Sequence, residues 1–209
     1  MLRSYLFFLL AGLSLVALPQ CSNQLLGGMN SRSGSQKIVA PAQASHHVIA
    51  TAKNKPRDRH GLPVYSFTER NRLVRTTAYT CSEDDHIQYG SKNAIGTTLK
   101  YSSSVRSAAA DWSFYPLGTV FKINGHSQLY VVDDYGSALA GAGTIDIYHP
   151  SKAMMNAWGR RNVEINVLKW GSFQQSAAIL SKRKDFSHCR QMYANIQRMA
   201  GIAARTASR

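Results

Sequence analysis

Four aspartates in the middle of a basic chain are the residues best placed to do chemistry. Asp133 and Asp134 follow the apolar run Leu129-Tyr130-Val131-Val132, and Asp146 sits inside Ile145-Asp146-Ile147-Tyr148. Gly136, Gly141 and Gly143 lie between the two runs, and Asp111 follows Ala108-Ala109-Ala110. The chain holds only 11 Asp+Glu against 25 Lys+Arg, so acids gathered at strand mouths need a cause. Neighbouring carboxylates resist double ionisation and can hold one proton between them. A carboxyl kept protonated in that way can protonate the leaving oxygen of a glycosidic bond as positive charge develops on the sugar. A glycosidase that uses water would need two separated carboxylates in distinct roles. There is also a structural reading, in which an Asp at a strand end accepts backbone N–H bonds and fixes a turn. That reading is favoured for Asp111.

These acids need strands to position them. Short apolar runs bounded by turn residues predict strands at Leu73–Tyr79, Val105–Ala110, Thr119–Asn124, Ser127–Val132, Thr144–Tyr148 and Val163–Leu168. Asn124-Gly125 marks a hairpin between the third and fourth, because both residues tolerate positive φ. Side chains alternate along a strand, which predicts that Asp133 points to the opposite face from Asp134. One helix is expected at Ser151–Trp158, with Ser151 as N-cap and Gly159 closing it. Six short strands and one small helix predict a mainly β, compact barrel. Residues 83–104 read as a long surface loop. Within it Glu83-Asp84-Asp85-His86 is a solvated charge run rather than a divalent-metal site. His149 reads as a structural histidine. Gly-rich phosphate loops, Cys/His zinc spacing and a recognisable Ser-His-Asp context are missing from the sequence, so no cofactor is implied.

The formal net charge is +14 with a pI near 10.0, which favours anionic partners. Nucleic acid is set aside by the N-terminus. Arg3 precedes the apolar stretch from Tyr5 to Leu18, which reads as an export signal too short to span a membrane comfortably. Leu18-Pro19-Gln20-Cys21 resembles a bacterial lipoprotein signal, which would place a lipid on Cys21. The expectation is an exported protein on the periplasmic side of the envelope, anchored in the outer membrane if Cys21 is acylated. Cys81 and Cys189 then remain as a disulfide pair. The chain divides into a signal at 1–21, a flexible linker at 22–66 that includes His46-His47, a barrel at 67–171 and a basic tail at 172–209. Helical spacing of Phe173, Ala177 and Leu180, and later of Cys189, Met192, Ile196 and Met199, predicts that the tail packs on the barrel rather than entering a membrane.

An ordered set of motifs resembles the 3D domain, a family named for three aspartates. They are TTAYT (76–80), AIGTTL (94–99), AADWSFYPLGTVFKI (109–123), VVDDYGSALAG (131–141), TIDIYHP (144–150) and AWGRRNVEINVL (157–168). The resemblance implies a six-stranded double-psi β-barrel, shared with the C-terminal part of the membrane-bound lytic transglycosylase A family. It implies Asp111, Asp134 and Asp146 as the three aspartates, with Asp146 at the position of the catalytic one. Thr77, Tyr79, Gly136 and Trp112 are the residues expected to meet the sugar. The chain departs from the family at Ser137, where a second glycine is usual, and at Ala140, where a lysine is usual. It also has no room for the second domain that forms the other groove wall in the transglycosylases. The function implied is cleavage of peptidoglycan glycan strands. One aspartate would act first as acid, then as base toward the muramyl 6-hydroxyl, giving 1,6-anhydromuramyl ends. The alternative is a non-catalytic barrel that binds peptidoglycan. Either protein is expected to be a monomer.

Overall fold

The computed structural model describes residues 39–83 and 89–207, with side chains to residue 201. The export segment, Cys21, and Asp84 to His86 lie outside the described residues. Six strands form where the apolar alternation lies: β1 Asn71–Tyr79, β2 Val105–Ala110, β3 Val120–Ile123, β4 Leu129–Asp134, β5 Ile145–Tyr148 and β6 Arg161–Lys169. Alternate residues point inward, among them Val74, Ala108, Ala110, Phe121, Ile123, Tyr130, Val132, Ile145, Ile147, Val163, Ile165 and Val167, and together they fill one core. The turn after β3 is built on Gly125 with φ +83°, as the Asn-Gly pair requires. Helix Lys152–Trp158 starts where Ser151 Oγ accepts the Met154 N–H and ends at Gly159, φ 60°.

The strands close in the order β1-β5-β2-β4-β3-β6. β1 pairs parallel with β5 and β2 parallel with β4, while β2–β5, β3–β4, β3–β6 and β1–β6 are antiparallel. Exchanging β1 with β4, β2 with β5 and β3 with β6 leaves every pairing and its direction unchanged. The barrel is therefore two interlocked three-strand halves about a pseudo-twofold axis through the β2–β5 and β3–β6 pairs. This is the crossed double-psi architecture that the resemblance implied.

Two further helices follow, Phe173–Ser181 and Ser187–Ala207. Leu180, Cys189, Met192 and Ile196 are buried against the barrel core, so the basic tail is a packed amphipathic pair of helices. Among the described residues no helix is long and apolar enough to cross a membrane. Cys189 is a free, buried thiol in this interface, whereas Cys81 packs in a separate cluster with Tyr79, Leu99 and Tyr148. The expected Cys81–Cys189 bridge is not formed, because the two residues belong to different apolar cores.

The segment at 22–66 is not a plain tether over its described part. A helix, His46–Lys53, is capped by Ser45 and buries Val48 and Ala52. Ala42 N–H donates to Asn124 O at 3.0 Å and Ser45 N–H to Glu164 Oε2 at 2.7 Å. Leu62 and Tyr65 are buried as well. An eight-residue helix with two buried positions leaves too little period for a sequence to display. His46 and His47 are exposed on it.

His149 is structural, as expected, but not satisfied. It is fully buried with neither ring nitrogen hydrogen-bonded, and its ring centroid lies 5.6 Å from Trp158 and 5.5 Å from Tyr101. Burial first, then the charges of Arg106, Arg161 and His126, push its pKa down to about 4.

Two outcomes follow from this packing. Each large side chain buried by residues 39–66 contributes about 1.5–3 kcal/mol. A chain starting at residue 67 should therefore melt on the order of 10 °C below one starting at residue 39, at about 2–4 °C per kcal/mol. Equal melting temperatures would mean that the segment is a tether after all. His149 is neutral in the fold, whereas its unfolded counterpart takes up a proton near pH 6.5. Its contribution is present above about 6.5 and is lost as the pH falls toward about 4. Urea midpoints should drop across that window, and His149→Phe should flatten the drop; an unchanged slope would contradict this assignment.

Candidate active site

The registers place four residues in one row. Thr77 on β1 pairs with Asp146 on β5, Asp146 with Ala109 on β2, and Ala109 with Asp134 on β4. Their strand neighbours Ala108, Ala110, Ile145 and Ile147 face the core, so this row faces outward. The pseudo-twofold exchanges Thr77 with Asp134 and Asp146 with Ala109. The two acids thus occupy non-equivalent places, one in a central strand and one in an outer strand of the row.

Asp134 reaches the row through a bulge. Ala108 pairs with Val132, but Ala109 pairs with Asp134, leaving Asp133 as the extra residue. In a regular strand Asp134 would follow Tyr130 and Val132 into the apolar interior. The bulge turns it outward and leaves Asp133 on the same side. Ser107, which faces outward with Ala109, donates its hydroxyl to Asp133 Oδ2 at 2.9 Å, and Lys100 Nζ lies 2.7 Å from the same oxygen. The expectation that Asp133 and Asp134 face opposite ways fails here, because strict alternation does not survive a bulge.

The three outward acids differ in environment. Asp134 is 5% exposed; its Oδ1 accepts the Ala94 and Tyr135 N–H groups, each at 3.0 Å, and its Oδ2 accepts the Tyr79 hydroxyl at 3.0 Å. Burial outweighs these bonds and, with the charge of Asp133, pushes its pKa up to about 7. The Tyr79 hydroxyl is held well above its ordinary value by burial, then by the charges of Asp134, Asp133 and Asp146. It therefore stays a donor where the fields of all three carboxylates meet. Asp146 is the most accessible of the acids. A whole strand separates it from Asp134, about 9–10 Å between backbones at the usual spacing. The charge that raises Asp134 is that of its neighbour Asp133.

Asp111 does not join this group. It is 0% exposed; Oδ1 accepts Ser113 N–H at 2.7 Å and Ser113 Oγ–H at 2.6 Å, and Oδ2 accepts Gly141 N–H at 2.5 Å. Burial raises its pKa. Its place in the fold is a clamp on the glycine-rich segment after β4. Asp58, which the sequence reading passed over inside its linker, clamps the same segment by accepting Gly143 N–H at 2.8 Å. The turn Asp58-Arg59-His60-Gly61, in which Asp58 Oδ1 also accepts His60 N–H, was the available signal.

Among the expected sugar contacts, Thr77 lies half-buried beside Asp146 in the row. The Tyr79 ring packs on Tyr148 with centroids 5.6 Å apart, leaving only its hydroxyl at the site. Gly136 opens a short 3-10 turn, Ser137–Leu139, just past Asp134. Trp112 is excluded from sugar stacking: it is 0% exposed in the core, with Nε1–H donating to Asp134 O at 3.0 Å. Ala140 is buried, and the cation at this face comes instead from Lys100, which sequence reasoning missed because it lies in an unpatterned loop. Among the described residues no group of three or more His, Cys, Asp or Glu is arranged to hold a metal ion.

Residues 106–169 match the family model of the 3D domain. The match runs through β2 to β6 and contains Asp111, Asp134 and Asp146. It leaves out β1, although β1 completes the barrel and supplies Thr77 and Tyr79. A comparison with curated proteins gave no match.

If Asp111 is a clamp, Asp111→Ala should lower stability by about 2–3 kcal/mol in urea unfolding, since it orphans buried donors. The Asp134 carboxyl should titrate as before. Unchanged stability would contradict the clamp.

Proposed function

We propose that this chain, as a carrier of a 3D domain, cleaves the glycan strands of peptidoglycan as a lytic transglycosylase, with Asp146 as acid and base. The observation that carries this reading is the outward row, in which the accessible Asp146 stands between Thr77 and Ala109, with the Tyr79 hydroxyl within reach of its field. Asp146 protonates the glycosidic oxygen as the bond to the anomeric carbon breaks and positive charge develops on the sugar. The muramyl 6-hydroxyl then attacks that carbon and returns its proton to Asp146. The nucleophile is internal, so one carboxyl serves both steps. The carboxylate face as a whole stabilises the cationic sugar. An export segment ending at Cys21 would deliver the domain to the periplasmic side of the envelope, with a lipid on Cys21 as anchor. The row lies within one chain, so a monomer suffices.

A second reading is favoured by the engagement of Asp111 and Asp134 with backbone amides. On this reading the same outer face holds glycan without cleaving it, and the acids serve the fold.

Purified sacculi incubated with the secreted protein separate the readings. Cleavage is expected to release fragments with 1,6-anhydromuramyl ends. Asp146→Asn should lower turnover by about 10²–10⁴-fold while folding and sacculus binding persist. New reducing ends would identify a hydrolase, to which the one-strand gap between Asp134 and Asp146 is also suited. Binding with no fragments at any pH would establish the non-catalytic reading.

A further inference from the structure

The bulge gives this face a third carboxylate, Asp133, which is not one of the three aspartates for which the family is named. Asp133 is 3% exposed, yet it carries a formal cation against it: the Lys100 ammonium, on a side chain 43% exposed, sits 2.7 Å from Oδ2. The Ser107 hydroxyl donates to the same oxygen, while Oδ1 is buried with no hydrogen-bond partner. The cation and the hydroxyl offset part of the cost of burying this carboxylate, and that balance is lost if either is removed. Its neighbour in sequence, Asp134, is turned to the same side by the bulge and pairs with no cation among the described residues. Around Asp134 stand the Tyr79 hydroxyl from β1, the Ala94 and Tyr135 amides, Asp133 with Lys100 behind it, and Asp146 beyond the uncharged Ala109 of β2.

We propose that Asp133, clamped by Lys100 and Ser107 on the bulge of β4, is a positioning residue that sets the proton state of Asp134. Lys100 sets how strongly it does so. The Lys100 side chain reaches the bulge from the loop before β2, so the loop that donates the Ala94 amide also controls the charge felt beneath it. The arrangement places the adjustable charge one residue from Asp134. The consequence for turnover rests on the proposed glycan cleavage; the electrostatic coupling itself does not.

Carboxyl ¹³C titration by NMR on the full chain tests the coupling without any need for turnover. Asp133→Asn removes the negative neighbour and leaves Lys100 unpaired, so the Asp134 midpoint should fall by roughly one pH unit. Lys100→Met leaves Asp133 without its cation, so the upper midpoint of the Asp133–Asp134 pair should rise by a similar amount. These opposite displacements are the signature of charge coupling. Midpoints that stay put in both folded variants, or that move the same way, would overturn the proposal. If Asp133→Asn does not fold, Lys100→Met decides alone, since it leaves the bulge residue in place. If sacculi are cleaved, the pH profile should move with each midpoint. If they are not cleaved while the midpoints still move in opposite senses, glycan cleavage fails and the coupling stands.

Discussion

One extra residue in β4 decides what this barrel can present to solvent. With regular pairing, the strand that sends Tyr130 and Val132 inward would send Asp134 after them, into a core of Ile145, Ile147 and Ala110. A carboxyl there would lack the amides of Ala94 and Tyr135 and the Tyr79 hydroxyl that now meet it. The bulge between Ala108 and Ala109 moves Asp134 to the outer face and keeps Asp133 beside it. Bulges sharpen twist and re-aim side chains, which is why they recur next to functional sites.

The acid face is then held from both sides. Asp111 and Asp58 fix the glycine-rich segment beyond β4 by accepting the Gly141 and Gly143 amides. Gly141 takes φ +78°, a conformation that other residues adopt at a cost. On the other side the loop preceding β2 supplies the Ala94 amide and the Lys100 ammonium. Among the described residues of this chain of net charge +14, Lys100 forms an ion pair with Asp133, while burial, with the charge of Asp133, pushes the pKa of Asp134 up to about 7. The pseudo-twofold makes the two ends and the two middle places of the row equivalent, and the sequence fills them unequally: acids at Asp146 and Asp134, small uncharged residues at Ala109 and Thr77.

Much of this was legible from local signals. Alternating apolar runs marked all six strands, Asn124-Gly125 marked the hairpin, and Ser151 with Gly159 bracketed the helix, because each depends on residues within a few positions of one another. The outward placement of Asp146 also follows from alternation with Ile145 and Ile147. The bulge was not legible, since it is marked by no glycine and arises from which residue of β2 faces which residue of β4. Lys100, Asp58 and the helix at His46–Lys53 escaped for the same reason: their partners lie 33, 85 and, for Ser45 with Glu164, 119 positions away. The Cys81–Cys189 pairing failed because a count of cysteines says nothing about which apolar core each one enters.

The shifted register brings Asp134 into line with Ala109 and Asp146. Interproton contacts across β2 and β4 in a labelled sample measure it directly. Contacts are expected to link Ala108 with Val132 and Ala109 with Asp134, with Asp133 looped between them. Contacts linking Ala109 with Asp133 in unbroken register would contradict it, because Asp134 would then face the core and the row of acids would not exist.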